Sequence, residues 1–144
     1  LEKYAVRVGG GCNHRFNLAD GVLIKDNHIA ACGSISEAVK RARAFAPHTI
    51  RIEVEVETLD QLKEALDAKA DIVMLDNMSN EMMAEAVRMV NGSALCEASG
   101  NMGEKNLAEV AATGVDLISI GGLTHSARAM DISLKFQMNT VKGL

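Results

Sequence analysis

Apolar positions along the chain fall into two rhythms. Short runs rich in β-branched residues, at Tyr4 to Val8, Gly21 to Ile24, Ile50 to Val56, Ile72 to Leu75, Ala94 to Cys96, Leu117 to Ile120 and Ile132 to Phe136, have the length and composition of strands. Helical patterns lie between most of them. Ser34-Ile35-Ser36-Glu37 and Thr58-Leu59-Asp60-Gln61 both fit the capping box, in which side chains satisfy the orphan amides of a starting helix, and predict helices to about Phe45 and Asp67. Further helices are predicted from Asn80 to Val90, stopping at Asn91-Gly92, and from Glu104 to Thr113, stopping at Gly114, where a left-handed residue closes the last turn. Strand starts at 50, 72, 94 and 117 are 22, 22 and 23 residues apart, one βα unit each, although no motif repeats with that period. A parallel sheet with helical crossovers follows.

An open Rossmann-like sheet and a (β/α) barrel both satisfy this order. Polar residues at the C-terminal ends of nearly every strand favour the barrel: Lys25, Glu55, Asp76, Glu97 and Ser99, then Gly121 and Gly122. In a barrel these ends converge on one mouth, where active sites of this architecture lie. The expectation is an α/β chain folded as a parallel, TIM-like barrel, complete or open.

Composition narrows the class. With 144 residues, 48% of them hydrophobic, residues 1–144 make one domain with one sizeable core. No run approaches the ~20 apolar residues of a membrane span, and no signal-peptide series opens the chain. The net charge of -4, with basic residues dispersed, argues against nucleic acid as a partner. Three cysteines without a C-x-x-C pair favour a reducing compartment, with cytoplasm as the expectation. The eight methionines, Met78, Met82, Met83 and Met89 among them, read as core fillers. Leu1 opens the chain without an initiator Met, and a truncated chain is expected.

Against that acidic background, Gly9-Gly10-Gly11-Cys12-Asn13-His14-Arg15 and Leu23-Ile24-Lys25-Asp26-Asn27-His28 concentrate four potentially cationic side chains. Arg grips a carboxylate bidentately, Lys is a compact charge, and His donates according to its surroundings. Together they suit a small ligand with more than one anionic group; a loop of solvated charges fits the composition equally well. Cys12, His14, His28 and Cys32 also have spacings found among zinc ligands, a lesser alternative. The run Ile52-Glu53-Val54-Glu55-Val56-Glu57 alternates strictly, so in a strand its carboxylates share one face. In a parallel barrel strand the valines face the helices, which sends the glutamates into the lumen, where carboxylates are costly unless paired or metal-bound. Asp76 ends the next strand; it is either a helix cap or Asx-turn residue or, with Glu55, a ligand for Mg²⁺ that also binds substrate phosphates. Glu97-Ala98-Ser99-Gly100-Asn101 and Gly121-Gly122-Leu123-Thr124-His125 place small residues before helices, where backbone amides bind phosphate.

Taken in order, these motifs resemble the quinolinate phosphoribosyltransferases over nearly the whole chain. The resemblance implies transfer of the phosphoribosyl group from phosphoribosyl pyrophosphate to quinolinate, with Mg²⁺ and loss of CO₂, giving nicotinate mononucleotide and pyrophosphate in NAD synthesis. It places His14, Arg15 and Lys25 on the quinolinate carboxylates and Glu55 and Asp76 on the donor's ribose and metal. It places Ser99, Gly100, Asn101, Gly121, Gly122 and His125 on the donor's phosphates. Family members also carry a Thr-Arg-Lys-Thr element and an N-terminal α/β domain upstream of the position of Leu1, which closes the site of a neighbouring subunit in a dimer or larger homo-oligomer. Little activity is expected of this chain alone. The open alternatives are a phosphoribosyltransferase for another pyridine or base, an aldolase with Lys25 as its Schiff base, and an inactive barrel acting as a dimerisation or ligand-binding module.

Overall fold

A computed structural model describes residues 1–136. Its elements run α1 (Glu2–Val8), β1 (Val22–Ile24), α2 (Asp26–Cys32), α3 (Ile35–Phe45), β2 (Ile52–Val56), α4 (Leu59–Asp67), β3 (Ile72–Asp76), α5 (Asn80–Val90), β4 (Leu95–Ser99), a 3₁₀ turn (Met102–Glu104), α6 (Leu107–Ala112), β5 (Leu117–Ile118) and α7 (Gly122–His125). The five strands form one sheet in the order β1-β2-β3-β4-β5, and every neighbouring pair is parallel. A doubly wound sheet reverses its strand order at a switch point, and this one does not, so the Rossmann-like alternative falls. Because β-crossover-β connections are right-handed, sequential order puts the crossover helices on one side of the sheet, as along a barrel wall. Among the described residues the wall remains open: β1 and β5 are both edges.

The helices start where side chains cap them. Ser34 Oγ accepts from Glu37 N–H, Thr58 Oγ1 from Gln61 N–H and Ser79 Oγ from Met82 N–H. The strands are tied at their starts by a repeated device: Asp71 accepts from Ile52 N–H at 2.7 Å and Asp116 from Cys96 N–H at 2.8 Å. Between sheet and helices lie Val54, Val56, Val73, Leu75, Leu62, Met83 and Val110, all fully buried. Met78 is buried and Met82 and Met89 pack against this core, as gap fillers do.

Four expectations need correction. Tyr4 to Val8 is helix, not strand; with no ladder partner the backbone closes locally, and Tyr4 and Val8 bury against nothing. Ile132 to Phe136 forms no strand: Ile132, Leu134 and Phe136 alternate correctly but stand exposed, with no neighbouring strand among the described residues to receive them. The helix expected from Glu104 begins only at Leu107, because Asn106 Oδ1 captures Ala108 N–H after the 3₁₀ turn. A helix not foreseen, α2, follows Lys25 at once; His28 Nδ1 accepts from Lys25 N–H at 2.9 Å and closes its first turn.

The three cysteines are free thiols, and their surroundings differ. Burial, then the Asp116 carboxylate, push the Cys96 thiol up to about 11, whereas Cys12 is exposed. Since the thiolate is the reactive form, iodoacetamide at pH 8 should label Cys12 and leave Cys96 unmodified in the folded chain, as peptide mass spectrometry would read. Labelling of both at equal rates would contradict the burial of β4.

Candidate functional site

Register decides which side chains share the face turned away from the helices. Glu53 lies beside Leu23 and Ile72, Glu55 beside Met74, Met74 beside Glu97, and Asp76 beside Ser99. With side chains alternating along each strand, Glu53, Glu55, Asp76, Glu97 and Ser99 share the helix-free face, opposite the buried Val54, Val56, Val73, Leu75, Cys96 and Ala98. The expected inversion of the Glu-Val run therefore holds for Glu53 and Glu55. Glu57 does not join them: β2 ends at Val56, Glu57 is exposed, and its N–H donates to Gln61 Oε1.

The loop of residues 9–21 crosses that face. Its backbone is anchored to α1 by Gly11 N–H to the Val6 carbonyl, by Lys3 Nζ to the Arg15 carbonyl at 2.8 Å and by Asn13 Nδ2 to the Lys3 carbonyl at 2.9 Å. So held, the loop brings His14 Nε2 to 2.9 Å from Glu53 Oε2 and 3.7 Å from Glu97 Oε1. Glu53 and Glu97 are 4% and 2% exposed, and Ser119 Oγ donates to Glu97 Oε1. Burial and then the charge of Glu97 push the Glu53 carboxyl above the usual carboxylate range, against the pull of His14. A cavity of about 490 Å³ opens here, lined by Cys12, His14, Arg15, Glu53, Glu97 and Ser119 among others. Arg15 enters it with Nη1 donating to the Gly21 carbonyl at 3.1 Å.

The remaining candidates sit along the C-terminal ends of the strands. Lys25 Nζ meets Glu55 Oε2 at 3.1 Å across the β1–β2 pair, so the foreseen cation and the foreseen carboxylate are partners. Lys25 does not line the cavity of His14 and Arg15. Asp76 is not a helix cap, since Ser79 caps α5; its Oδ2 accepts from Asn77 Nδ2. Ser99, Gly100 and Asn101 lock against this end of β3: Asn77 N–H donates to the Ser99 carbonyl, and Asn101 Nδ2 lies 3.4 Å from Asn77 Oδ1. After β5, Gly121 caps the start of α7 at Gly122; Leu123 N–H donates to the Ile120 carbonyl, and Thr124 and His125 N–H to the Gly121 carbonyl. His125 folds back with Nδ1 2.7 Å from Ser126 Oγ.

The zinc reading of Cys12, His14, His28 and Cys32 is corrected. His28 is spent on its own helix start, and the one group among the described residues with metal-ligand spacing is His14, Glu53 and Glu97. Glu97 and Ser119 are site residues that sequence reasoning did not assign, and Glu53, foreseen on this face, was given no role there. The available signal was alternation, which sets Glu97 on the face of Ser99.

The profile of the family described as quinolinate phosphoribosyl transferase, C-terminal domain, matches residues 1–135. The chain belongs to that family. A probable nicotinate-nucleotide pyrophosphorylase [carboxylating] from Bacillus subtilis is 52% identical over 134 residues, covering 93% of this chain and 46% of the relative. A mitochondrial quinolinate phosphoribosyltransferase [decarboxylating] from Nicotiana tabacum is 42% identical over 94% of this chain and 44% of its own length. The crystal structure of NadC from Streptococcus pyogenes superposes with a TM-score of 0.86 at 50% identity, over 94% of this chain and 47% of that one. The chain thus spans about half the length of the relatives it matches. In the family context the open parallel sheet, the loop carrying His14 and Arg15, and the acidic helix-free face belong to the C-terminal domain.

Proposed function

We propose that this chain carries the quinolinate- and donor-binding half of a decarboxylating phosphoribosyltransferase of NAD biosynthesis. One observation supports this above the others: the loop with His14 and Arg15 crosses the sheet face that also carries Lys25, Glu55 and Asp76, with His14 and Arg15 at a cavity near the strand starts and Lys25, Glu55 and Asp76 at the strand ends. In this reading His14, Arg15 and Lys25 bind the quinolinate carboxylates. Glu55 and Asp76 bind the ribose of phosphoribosyl pyrophosphate, and Ser99, Gly100, Asn101, Gly121, Gly122 and His125 bind its phosphates. Departure of pyrophosphate leaves a cationic ribose that carboxylates on this face stabilise, and the ring nitrogen attacks the anomeric carbon. Ribosylation makes the ring a pyridinium, which takes up the electron pair when the 2-carboxylate leaves as CO₂. The protein's part is to orient the ring and exclude water.

In this reading Glu55 and Asp76 would also hold Mg²⁺, Glu55 exchanging its Lys25 partner for the ion. Glu55 and Asp76 are hard oxygen donors at the ends of neighbouring strands, one partly buried beside Lys25 and one beside Asn77. Mg²⁺ binds through one or two carboxylates together with substrate phosphates, and it would neutralise the leaving pyrophosphate. We further read the sheet as the larger part of a (β/α) barrel that the rest of the family's fold closes, in a homodimer or larger homo-oligomer, which sedimentation of the full-length protein would test. Free thiols throughout favour a reducing compartment such as cytoplasm, and among the described residues no helix is long and apolar enough to cross a membrane.

Calorimetry with quinolinate tests the reading. Arg15→Ala should weaken binding by about 2 kcal/mol, the loss of a charge-assisted, two-pronged contact. A change below about 0.5 kcal/mol would remove Arg15 from the clamp. With the complete protein and donor, release of labelled CO₂ from the 2-carboxyl is expected; turnover of another pyridine without such release would favour the related enzyme instead.

A further inference from the structure

We propose that Glu53 and Glu97, backed by Ser119, are positioning residues for His14: they hold its imidazole by Nε2 and leave Nδ1 as the nitrogen that meets the substrate. This rests on the reading of the cavity as the quinolinate pocket.

His14 sits in a loop without regular structure, and a loop side chain is a poor anchor for precise recognition. What orients it comes from the sheet. Glu53 on β2 and Glu97 on β4 reach Nε2 from strands on either side of β3, at 2.9 and 3.7 Å. Ser119, just past β5, donates to the same Glu97 oxygen that faces the ring. Two strands thus converge on one ring nitrogen, and a residue just past β5 holds the second of their carboxylates.

Burial makes this arrangement specific. A carboxylate that is 4% exposed must find partners or carry a desolvation cost. Glu53 Oε1 is buried without a hydrogen-bond partner, so the contact of Oε2 with His14 is what compensates this side chain. A glutamate serving only the fold would be tied to backbone amides, as Asp71 and Asp116 are. Glu53 is tied instead to a residue that lines the cavity. Metal-ligating and catalytic histidines are commonly oriented this way, by a carboxylate on the nitrogen that does not do the work.

Side-chain ¹⁵N NMR of the histidine-labelled full chain tests the proposal without substrate. The His14 resonances should report a proton on Nε2. They should shift in Glu53→Leu and in Ser119→Ala, and return towards wild type in Glu53→Gln, which keeps an oxygen acceptor. Quinolinate binding, measured by calorimetry, should weaken roughly tenfold in Glu53→Leu and recover to within about threefold in Glu53→Gln. Glu57→Ala, exposed and off the face, should match wild type in both readouts. Circular dichroism confirms folding; if Glu53→Leu does not fold, Glu97→Gln and Ser119→Ala carry the test. Identical His14 resonances in wild type and all folded variants would overturn the proposal, as would wild-type resonances that change when a chelator strips metal from the cluster. Failure of wild type to bind quinolinate, with the resonances shifting as expected, would sink the functional reading and leave the His14 anchor standing.

Discussion

Gly100→Ala should cost about 3 kcal/mol of stability, read as a drop in the urea midpoint at unchanged m-value. Gly100 has φ +86°, a conformation that L side chains rarely adopt. A Cβ there would lie 2.3 Å from Asn77 Oδ1 and 2.8 Å from Asn77 N, and the second of these is backbone that cannot swing aside. Asn77 is itself left-handed at φ 53° and bonded to the Ser99 carbonyl, so relief at one loop strains the other. The substitution thus pries apart the ends of β3 and β4, where Asp76 and Ser99 lie, and donor binding should fall with stability. Gly122→Ala is the control, since a Cβ there meets nothing within 4 Å; its stability should stay within about 0.5 kcal/mol of wild type. Equal effects of the two alanines would mean that the β3 and β4 loops are not interlocked.

The other large effect tests the two faces of β2. Val54→Asp should cost about 4 kcal/mol or more and leave the chain without a cooperative melting transition. It puts an unpaired carboxylate at a fully buried position among the helices, with no cation to receive it. One residue on, Glu55→Gln should fold normally. The Glu55 side chain is 14% exposed, but its partner Lys25 is half exposed, and glutamine keeps the shape and an oxygen acceptor for Lys25, so the cost should be about 1 kcal/mol. Thermal melts of the two variants distinguish the faces directly. If Val54→Asp melts like wild type, the valines do not face the helices, and the assignment of Glu53 and Glu55 to the functional face goes with them.

Much of this was legible locally. Capping boxes at Ser34 and Thr58 placed α3 and α4 because a cap is a bond between residues three apart, and the alternation of the Glu-Val run set its faces because strand geometry has period two. The grouping of Lys25, Glu55 and Asp76 at the strand ends followed from the βα order, whereas His14 and Arg15 joined them only through the family resemblance. The two misplaced strands share a cause. Tyr4 to Val8 and Ile132 to Phe136 have the composition of strands, but a strand exists only where a neighbour completes its ladder, and the described residues supply none. Glu97 read as one more polar strand end, since nothing near it in the chain announces a partner.

By itself, then, the sequence determined the element types with local signals, the parallel βα order, the acidic face and the membership of the motifs in one family. Tertiary structure alone decided that among the described residues the sheet is open at β1 and β5, that Lys25 pairs with Glu55, and that His14 is held between Glu53 and Glu97. These depend on register between strands and on a loop folding back across them, and burial gives such distant contacts their energy only once the sheet has formed.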